Sequence, residues 1–444
     1  MNRDVVIIGG GVSGLATGAL LAKAGCSVKV LEQGNQPGGR AYTYEDRGFT
    51  LNYGPHAVYR PQSGVLGEIL RRLGVPDIPH GYVQPTRSYW ADGDRFGAVG
   101  ARPHEALRTP LFPLASRLRL PLLMAAIRFA KPETLGDQTY GDWVDAHVSD
   151  ARLRRFAVAL GTVNTYTRPS RALSARFLLG HLQRNLFAKD YVGYMSGGWR
   201  TMYDAFIGVL RANGGALVTG AHVRRLESGG GRVIAAVTQD ARHEAAAFIC
   251  TLPPQDAPSI AEDGSPLADE LGRWSGVEDV RALCVDLGFS RRLRTDLAYV
   301  FDIERDLYYS LHSEVTPDLA PPGAQLLHAM AYLAPDEADD EGLLAGRRAA
   351  LEAGLDRWFA GWREAVVVDR SLPNVRVSAL RQTPPQRAMR VPLRSQTAAN
   401  LYFAGDARDI EGNLTEICLK SALEAADAVE RDGAASLEGA LAAS

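Results

Sequence analysis

Apolar and polar positions alternate between two periods along this chain, and the switches mark its organisation. The N-terminus reads VVIIGGGVSGL, four apolar β-type residues running into Gly9, Gly11 and Gly14. That pattern predicts a strand, then a helix over 15–24 closed by Gly25, then a second strand over 27–31 ending at Glu32. From about 100 to 195 the spacing turns helical and rich in leucine and arginine, as in RLRLPLLMAAIRFAKPETL and RLRRFAVAL. After Gly197, Met202, Ala205, Phe206, Val209 and Leu210 keep helical spacing up to a Gly-Gly stop. Four short strands are predicted next, ALVT, HVRRLE, RVIAAVT and AAAFICTLPP, read as a β-meander. From about 265 to 390 the strand-like runs RALCVDLGF, LAYVFDI, LYYSLHS and QLLHAMAYL flank one long helix near 341–359. The chain closes with NLYFAGD, a strand and a Gly-Asp turn, and a final helix.

At 444 residues the chain is too long for one core and calls for two or three domains. The expected fold is α/β: a Rossmann-type domain with its β-meander, assembled from 1–85, 196–260 and 392–444. A second, α+β domain is expected from the insertions 86–195 and 261–391, a helical lid plus a mixed sheet. A net charge of -2 gives no reason to expect nucleic acid. Only five of the 49 basic residues are lysine, a bias that hints at a GC-rich bacterial genome. The four cysteines have neither disulfide nor metal-ligand spacing, so no metal and a reducing cytoplasm are expected. The first strand starts almost at Met1, leaving no room for a leader peptide. No uninterrupted apolar run approaches ~18 residues, so no spanning helix is expected.

Gly9, Gly11 and Gly14 follow a strand and open a helix, with Glu32 at the end of the next strand. This is the full βαβ setting of a dinucleotide fingerprint. Gly9 allows the tight turn, Gly11 lets backbone approach a pyrophosphate, and Gly14 lets the helix pack close. Val12 and Ser13 belong to the same loop. Glu32, with Gln33 beside it, is placed to accept hydrogen bonds from a ribose. Only one such fingerprint is present, so no dedicated NAD(P)H site is expected.

With PGGR at 37–40, GPHAVY at 54–59, GGW at 197–199, the strand from Val223, TLPP and AGD at 404–406, the chain resembles a known superfamily. That superfamily holds the FAD-dependent amine oxidases, protoporphyrinogen oxidases and phytoene desaturases. Bacterial phytoene-desaturase-like oxidoreductases are the most similar members. The resemblance implies non-covalent FAD, since no cysteine stands at the usual covalent position. It implies that Gly38, Gly39 and Arg40 lie beside the cofactor, with the Arg40 guanidinium suited to phosphate oxygens. By the same resemblance Gly54, Pro55 and His56 lie near the isoalloxazine ring, and Val223 contacts adenine through its main chain. Gly405 and Asp406 reach the ribityl chain or a pyrophosphate-linked water. Asn413 and Leu414, after Gly412, open the last helix toward the flavin N1/O2 edge. Read alone, Asp406 also suits a helix cap, and Arg40 a solvated surface charge.

Two departures weigh against an amine. No lysine occurs between Lys189 and Lys420, and Asn413 stands where amine oxidases place an aromatic cage residue. The implied reaction is oxidation or desaturation of an apolar small molecule, with oxygen, a quinone or another acceptor taking the electrons. An amine or amino-acid oxidase is the alternative of the same fold. A flavin-free binding protein resembling the GDP-dissociation inhibitors is the non-enzymatic one. Candidate bases are His56 and His312, with Tyr59 and Arg60 of similar standing. In LYYSLHS one face carries Leu307, Tyr309 and Leu311, the other Tyr308, Ser310 and His312, and either face suits a pocket wall. The apolar stretch 110–130, with Arg117, Arg119 and Arg128, suits a soluble lid better than a segment dipping into a membrane surface.

Overall fold

The computed structural model describes residues 4–54, 57–100 and 103–442. Its first half-core is a five-stranded sheet in the order Ala216–Val218, Ser27–Leu31, Asp4–Ile8, Ala247–Cys250, Leu401–Phe403. All four pairings are parallel. The strand Asp4–Ile8 shows why both faces are covered. Val5 and Ile7 point into a helical layer formed by Val12–Lys23, Arg200–Ala212 and Leu414–Ala442. Val6 and Ile8 point the other way, against Val223, Leu226, Val233 and Trp274. Period-two alternation with both sides apolar is the signature of a sheet buried on two faces.

The β-meander differs from the expected one. It holds three strands, Arg225–Gly229, Arg232–Val237 and Arg242–Glu244. ALVT and AAAFIC, expected as its first and last strands, instead lie on either side of the fingerprint βαβ in the parallel sheet. Strand propensity marks extended backbone without naming its partner. Leu267, Leu271, Trp274 and Val277, expected with the inserted domain, pack under the meander as well.

The second half is a seven-stranded sheet in the order Val366–Ser378, Val280–Phe289, Gln325–Tyr332, Leu307–Leu311, Tyr299–Asp302, Ser88–Asp92, Arg95–Ala98. Its pairings are antiparallel except Tyr299–Asp302 with Ser88–Asp92. One face packs on the helix Glu341–Trp358 through Leu307, Tyr309, Leu327 and Leu355. The approach is close: the Tyr309 hydroxyl donates to Leu351 O at 3.0 Å, and a Cβ on Gly354 would fall 2.0 Å from that hydroxyl. The other face, with Trp90, Phe301 and Tyr332, meets the helices Leu114–Phe129, Tyr140–His147, Ala151–Thr165 and Ala175–Asn185.

Candidate functional site

Two cavities of this framework meet at Ala57, which lines both. The first is a cleft of ≈ 550 Å³ along the carboxyl ends of the parallel strands. Its floor is the glycine loop. Gly9 has φ +104°, a left-handed conformation that favours glycine, and a Cβ on Gly14 would sit 2.0 Å from Gly9 O. A Cβ on Gly11, by contrast, would meet nothing within 4 Å. Gly11 and Gly38 form an isolated bridge, and Gly38 N donates to Gly10 O at 2.9 Å. The PGGR turn therefore docks onto the fingerprint loop.

Glu32 lines the cleft while its carboxylate accepts from Gly10 N and Gly34 N, both at 2.7 Å. Arg40 and Asp406 form a two-pronged ion pair at 2.7 and 2.6 Å, and Asp406 also accepts from Ala379 N at 2.8 Å. Burial would raise the Asp406 pKa, but Arg40 and the Ala379 N–H outweigh it and hold the carboxyl below its usual range. The helix Leu414–Ala442 opens on the same cleft through Leu414, Thr415 and Cys418. Leu414 takes φ +50° and Gly412 φ +148°, a sharp backbone turn at the cleft wall.

These residues fit a dinucleotide carrying a flavin. The lining includes Gly9, Gly11, Val12, Ser13, Glu32, Gln33, Gly38, Gly39, Arg40, Val223, Gly405, Asp406 and Leu414. A side chain at Gly11 would fill the cleft, and two helix N-termini face it, a setting suited to phosphate. Other expected residues sit elsewhere. Gly14 lies beneath the loop, and Gly54 is outside the lining. Asn413 is buried and donates from Nδ2 to Asn164 O at 3.3 Å, away from the cleft. Pro55 and His56 lie outside the described residues. Arg40 differs from expectation in being already paired with a carboxylate. Cys418, which the sequence reading did not single out, also lines the cleft. Burial pushes its thiol up to about 12, which keeps it protonated and weakly nucleophilic.

The second cavity, ≈ 370 Å³, lies between the large sheet and the helical layer. Seven tyrosines line it: Tyr59, Tyr166, Tyr191, Tyr194, Tyr299, Tyr308 and Tyr332. Among the described residues no Asp, Glu, Lys, Arg or His does so. Asn164 ties the wall together, its backbone oxygen accepting from Tyr59 at 2.9 Å and its side chain from Tyr191 at 2.5 Å. Of the two faces in LYYSLHS, the one carrying Tyr308 faces the cavity and Tyr309 faces the long helix. His312 shares the Tyr308 face yet does not reach the lining. It is buried behind Tyr194, ring centroids 4.5 Å apart, and burial lowers its pKa to about 3. It is thus a neutral backing group and not a base in the cavity. Arg60 is likewise engaged elsewhere, by Glu416 and Asn185. Leu120, Pro121 and Met124 of the 110–130 stretch form one wall, while Leu114, Leu118, Leu122 and Phe129 face outward.

A model of the flavin containing amine oxidoreductase family matches residues 12–430. Phytoene dehydrogenase of Streptomyces griseus is 29% identical over 267 residues, 53% of this chain and 51% of that protein. Phytoene desaturase (lycopene-forming) of Pantoea ananas is 46% identical over 61 residues, 14% of this chain and 12% of that protein. This chain spans about half the length, or less, of these curated relatives. A solved oxidoreductase from Methanosarcina mazei superposes with a TM-score of 0.75 at 19% identity, over 95% of this chain and 100% of that one. At that identity the likeness concerns the fold.

Proposed function

This chain belongs to the flavin containing amine oxidoreductase family and is an FAD-dependent oxidoreductase, and on that premise we propose that it oxidises or desaturates a largely apolar small molecule. The observation that carries this reading is the pair of cavities joined at Ala57, one polar and glycine-floored, the other apolar with no charged side chain among its described lining. FAD bound in the first supplies a hydride acceptor. The chain's own residues do the rest. Gly11 leaves room for a pyrophosphate, Glu32 accepts from ribose hydroxyls, and the Arg40–Asp406 pair fixes the loop against the strand Val366–Ser378. The cavity wall excludes water and orients the substrate. The described lining holds no carboxylate, amine or imidazole, and what these residues contribute is binding.

The family match replaces the flavin-free binding-protein alternative. The missing substrate-domain lysine and the burial of Asn413 disfavour an amine. Oxygen, a quinone or another acceptor takes the electrons onward. The Arg-rich composition hints at a bacterial genome, and bacterial secondary metabolism in the cytoplasm is the reading we adopt. No described helix is long and apolar enough to cross a membrane, and the 110–130 helix acts as a lid on the cavity. FAD is held non-covalently in this reading, since no cysteine stands at the usual covalent position. Acid denaturation should therefore leave a yellow supernatant over a colourless precipitate. Flavin remaining with the precipitated chain would overturn the non-covalent assignment, and a colourless native protein would overturn the FAD site itself.

A further inference from the structure

Besides the Asn164 contacts, the tyrosine cavity carries a cluster of hydroxyls that an apolar pocket does not need. The Tyr194 hydroxyl lies 2.6 Å from the Tyr308 hydroxyl and 3.2 Å from Ser310 Oγ. A phenol has one proton to donate and can also accept, so Tyr194 gives its proton to one neighbour and accepts from the other. If Tyr194 donates to Ser310, Tyr308 spends its proton on Tyr194 and presents a lone pair to the cavity. If Tyr194 donates to Tyr308, the Tyr308 proton is left for a ligand. The chain of three hydroxyls therefore offers either polarity at one point of the wall.

Its backing is buried. The Tyr194 ring rests on His312, which stacks on His328 at 5.4 Å. His328 Nδ1 meets Asp286 at 2.7 Å, and Asp286 accepts from Arg370 Nε at 2.8 Å. Asp286 and His328 are each at most 2% exposed. Buried polar networks are costly unless fully joined, and one that is joined fixes its members in place. The rest of the described wall carries no charged side chain: an ion among these residues would be desolvated with no partner.

Size adds a second limit. A volume of ≈ 370 Å³ stands near the low end of the roughly 300–1,000 Å³ range of small-molecule pockets. Such a space suits a compact molecule better than a chain of carotenoid length.

We propose that Tyr308, held by Tyr194 and Ser310, seats one uncharged oxygen of the substrate, a carbonyl or a hydroxyl, and that the substrate is a compact oxygenated molecule. This rests on the second cavity being the substrate cavity of an FAD-dependent oxidoreductase. An alcohol or phenol presents its proton to the lone pair of Tyr308, and a ketone or quinone accepts the Tyr308 proton. The same seat serves both because the hydroxyl chain reverses.

The test titrates the FAD-loaded protein by calorimetry with four probes of one skeleton: phenylcyclohexane, 4-phenylcyclohexanone, 4-phenylcyclohexanol and 4-phenylcyclohexylamine. The ketone and the alcohol should bind about tenfold tighter than the hydrocarbon, the worth of one net hydrogen bond. Tyr308→Phe should bring both down to the hydrocarbon, with hydrocarbon binding and flavin content unchanged. If that variant folds poorly, Tyr194→Phe should reduce the same preference by cutting the chain one hydroxyl further back. Equal binding of ketone, alcohol and hydrocarbon would overturn the proposal, as would an unchanged preference in Tyr308→Phe. Tightest binding of the ammonium probe would make the tyrosines a cation cage, and binding of none would rule out a compact substrate. Flavin content, read beforehand, separates these failures from failure of the FAD site.

Discussion

The cleft under the parallel sheet and the cavity over the large sheet touch at Ala57 but recognise their occupants by different means. The cleft takes its floor from backbone: the loop 9–14, the turn 38–40 and the start of the last helix, with glycine where a side chain would intrude. The cavity takes its wall from side chains, seven tyrosines drawn from six separate stretches of chain. Backbone recognition depends on local conformation, so a few adjacent residues fix it. Side-chain recognition depends on tertiary packing, so each residue answers to what lies behind it. The two plans fail under different insults.

Acid is the harshest test of the cavity. His181, behind Tyr59, and His312, behind Tyr194, are buried, and burial lowers their pKa values to about 4 and about 3. In the unfolded chain both protonate near 6.5, so below that pH the unfolded state binds more protons and stability falls as the pH drops toward the folded values. Asp286 tempers this for His312, and Glu416 for His181, while His328, Arg60 and Arg184 act the other way. Going from pH 7 to pH 5 should cost about 2 kcal/mol per histidine, about 4 in all. Melting curves of the FAD-loaded protein at both pH values check this, and a flat melting temperature would show that the two rings are not buried neutral.

The cleft should respond instead to a single methyl group. Gly14→Ala drives a Cβ into Gly9 O, and the backbone must shift at a cost of about 3 kcal/mol, with flavin lost. Gly11→Ala meets open space, so it should leave the apoprotein's melting temperature unchanged while weakening FAD. Equal melting temperatures for the two apoprotein variants would break the idea that backbone shape builds the cleft.

Glu32→Ala is the mildest of the three. Loss of the ribose hydrogen bonds should weaken FAD by about 1.5–3 kcal/mol, and Gly10 N and Gly34 N lose their acceptor at the same time. Titration of the apoprotein with FAD reads the effect, and an unchanged affinity would remove Glu32 from the site.

The same contrast decides what the sequence discloses. Gly9 to Gly14, Glu32, Gly38 to Arg40 and Asp406 stand out as short contiguous motifs because the conformation they serve is local. The tyrosines carry no such mark. Tyr308 and Tyr309 are neighbours with opposite fates, and alternation alone leaves open which of the two faces the cavity. Asn164, which joins Tyr59, Tyr191 and Asn413, sits at the end of an unremarkable helix. His312 shares a strand face with Tyr308, but the chain turns into a 3₁₀ segment there and carries the imidazole behind the wall. The outer strands of the expected meander were legible as strands, whereas their place in the parallel sheet depends on partners more than 180 residues away in one case and more than 240 in another.

The parallel sheet also sets an order on how the protein comes into being. The strand Asp4–Ile8 is made early, but its neighbour Ala247–Cys250 follows hundreds of residues later, and Leu401–Phe403 later still. The fingerprint loop is therefore synthesised long before the sheet that holds it in shape. Non-local pairing of this kind slows folding, because the connecting chain must be gathered before any contact rewards it. The nascent chain has no finished cleft to offer FAD until Asp406 and the final helix have been made. Cofactor capture is in this sense a late checkpoint, passed only once Leu401–Phe403 and the helix after it have been translated.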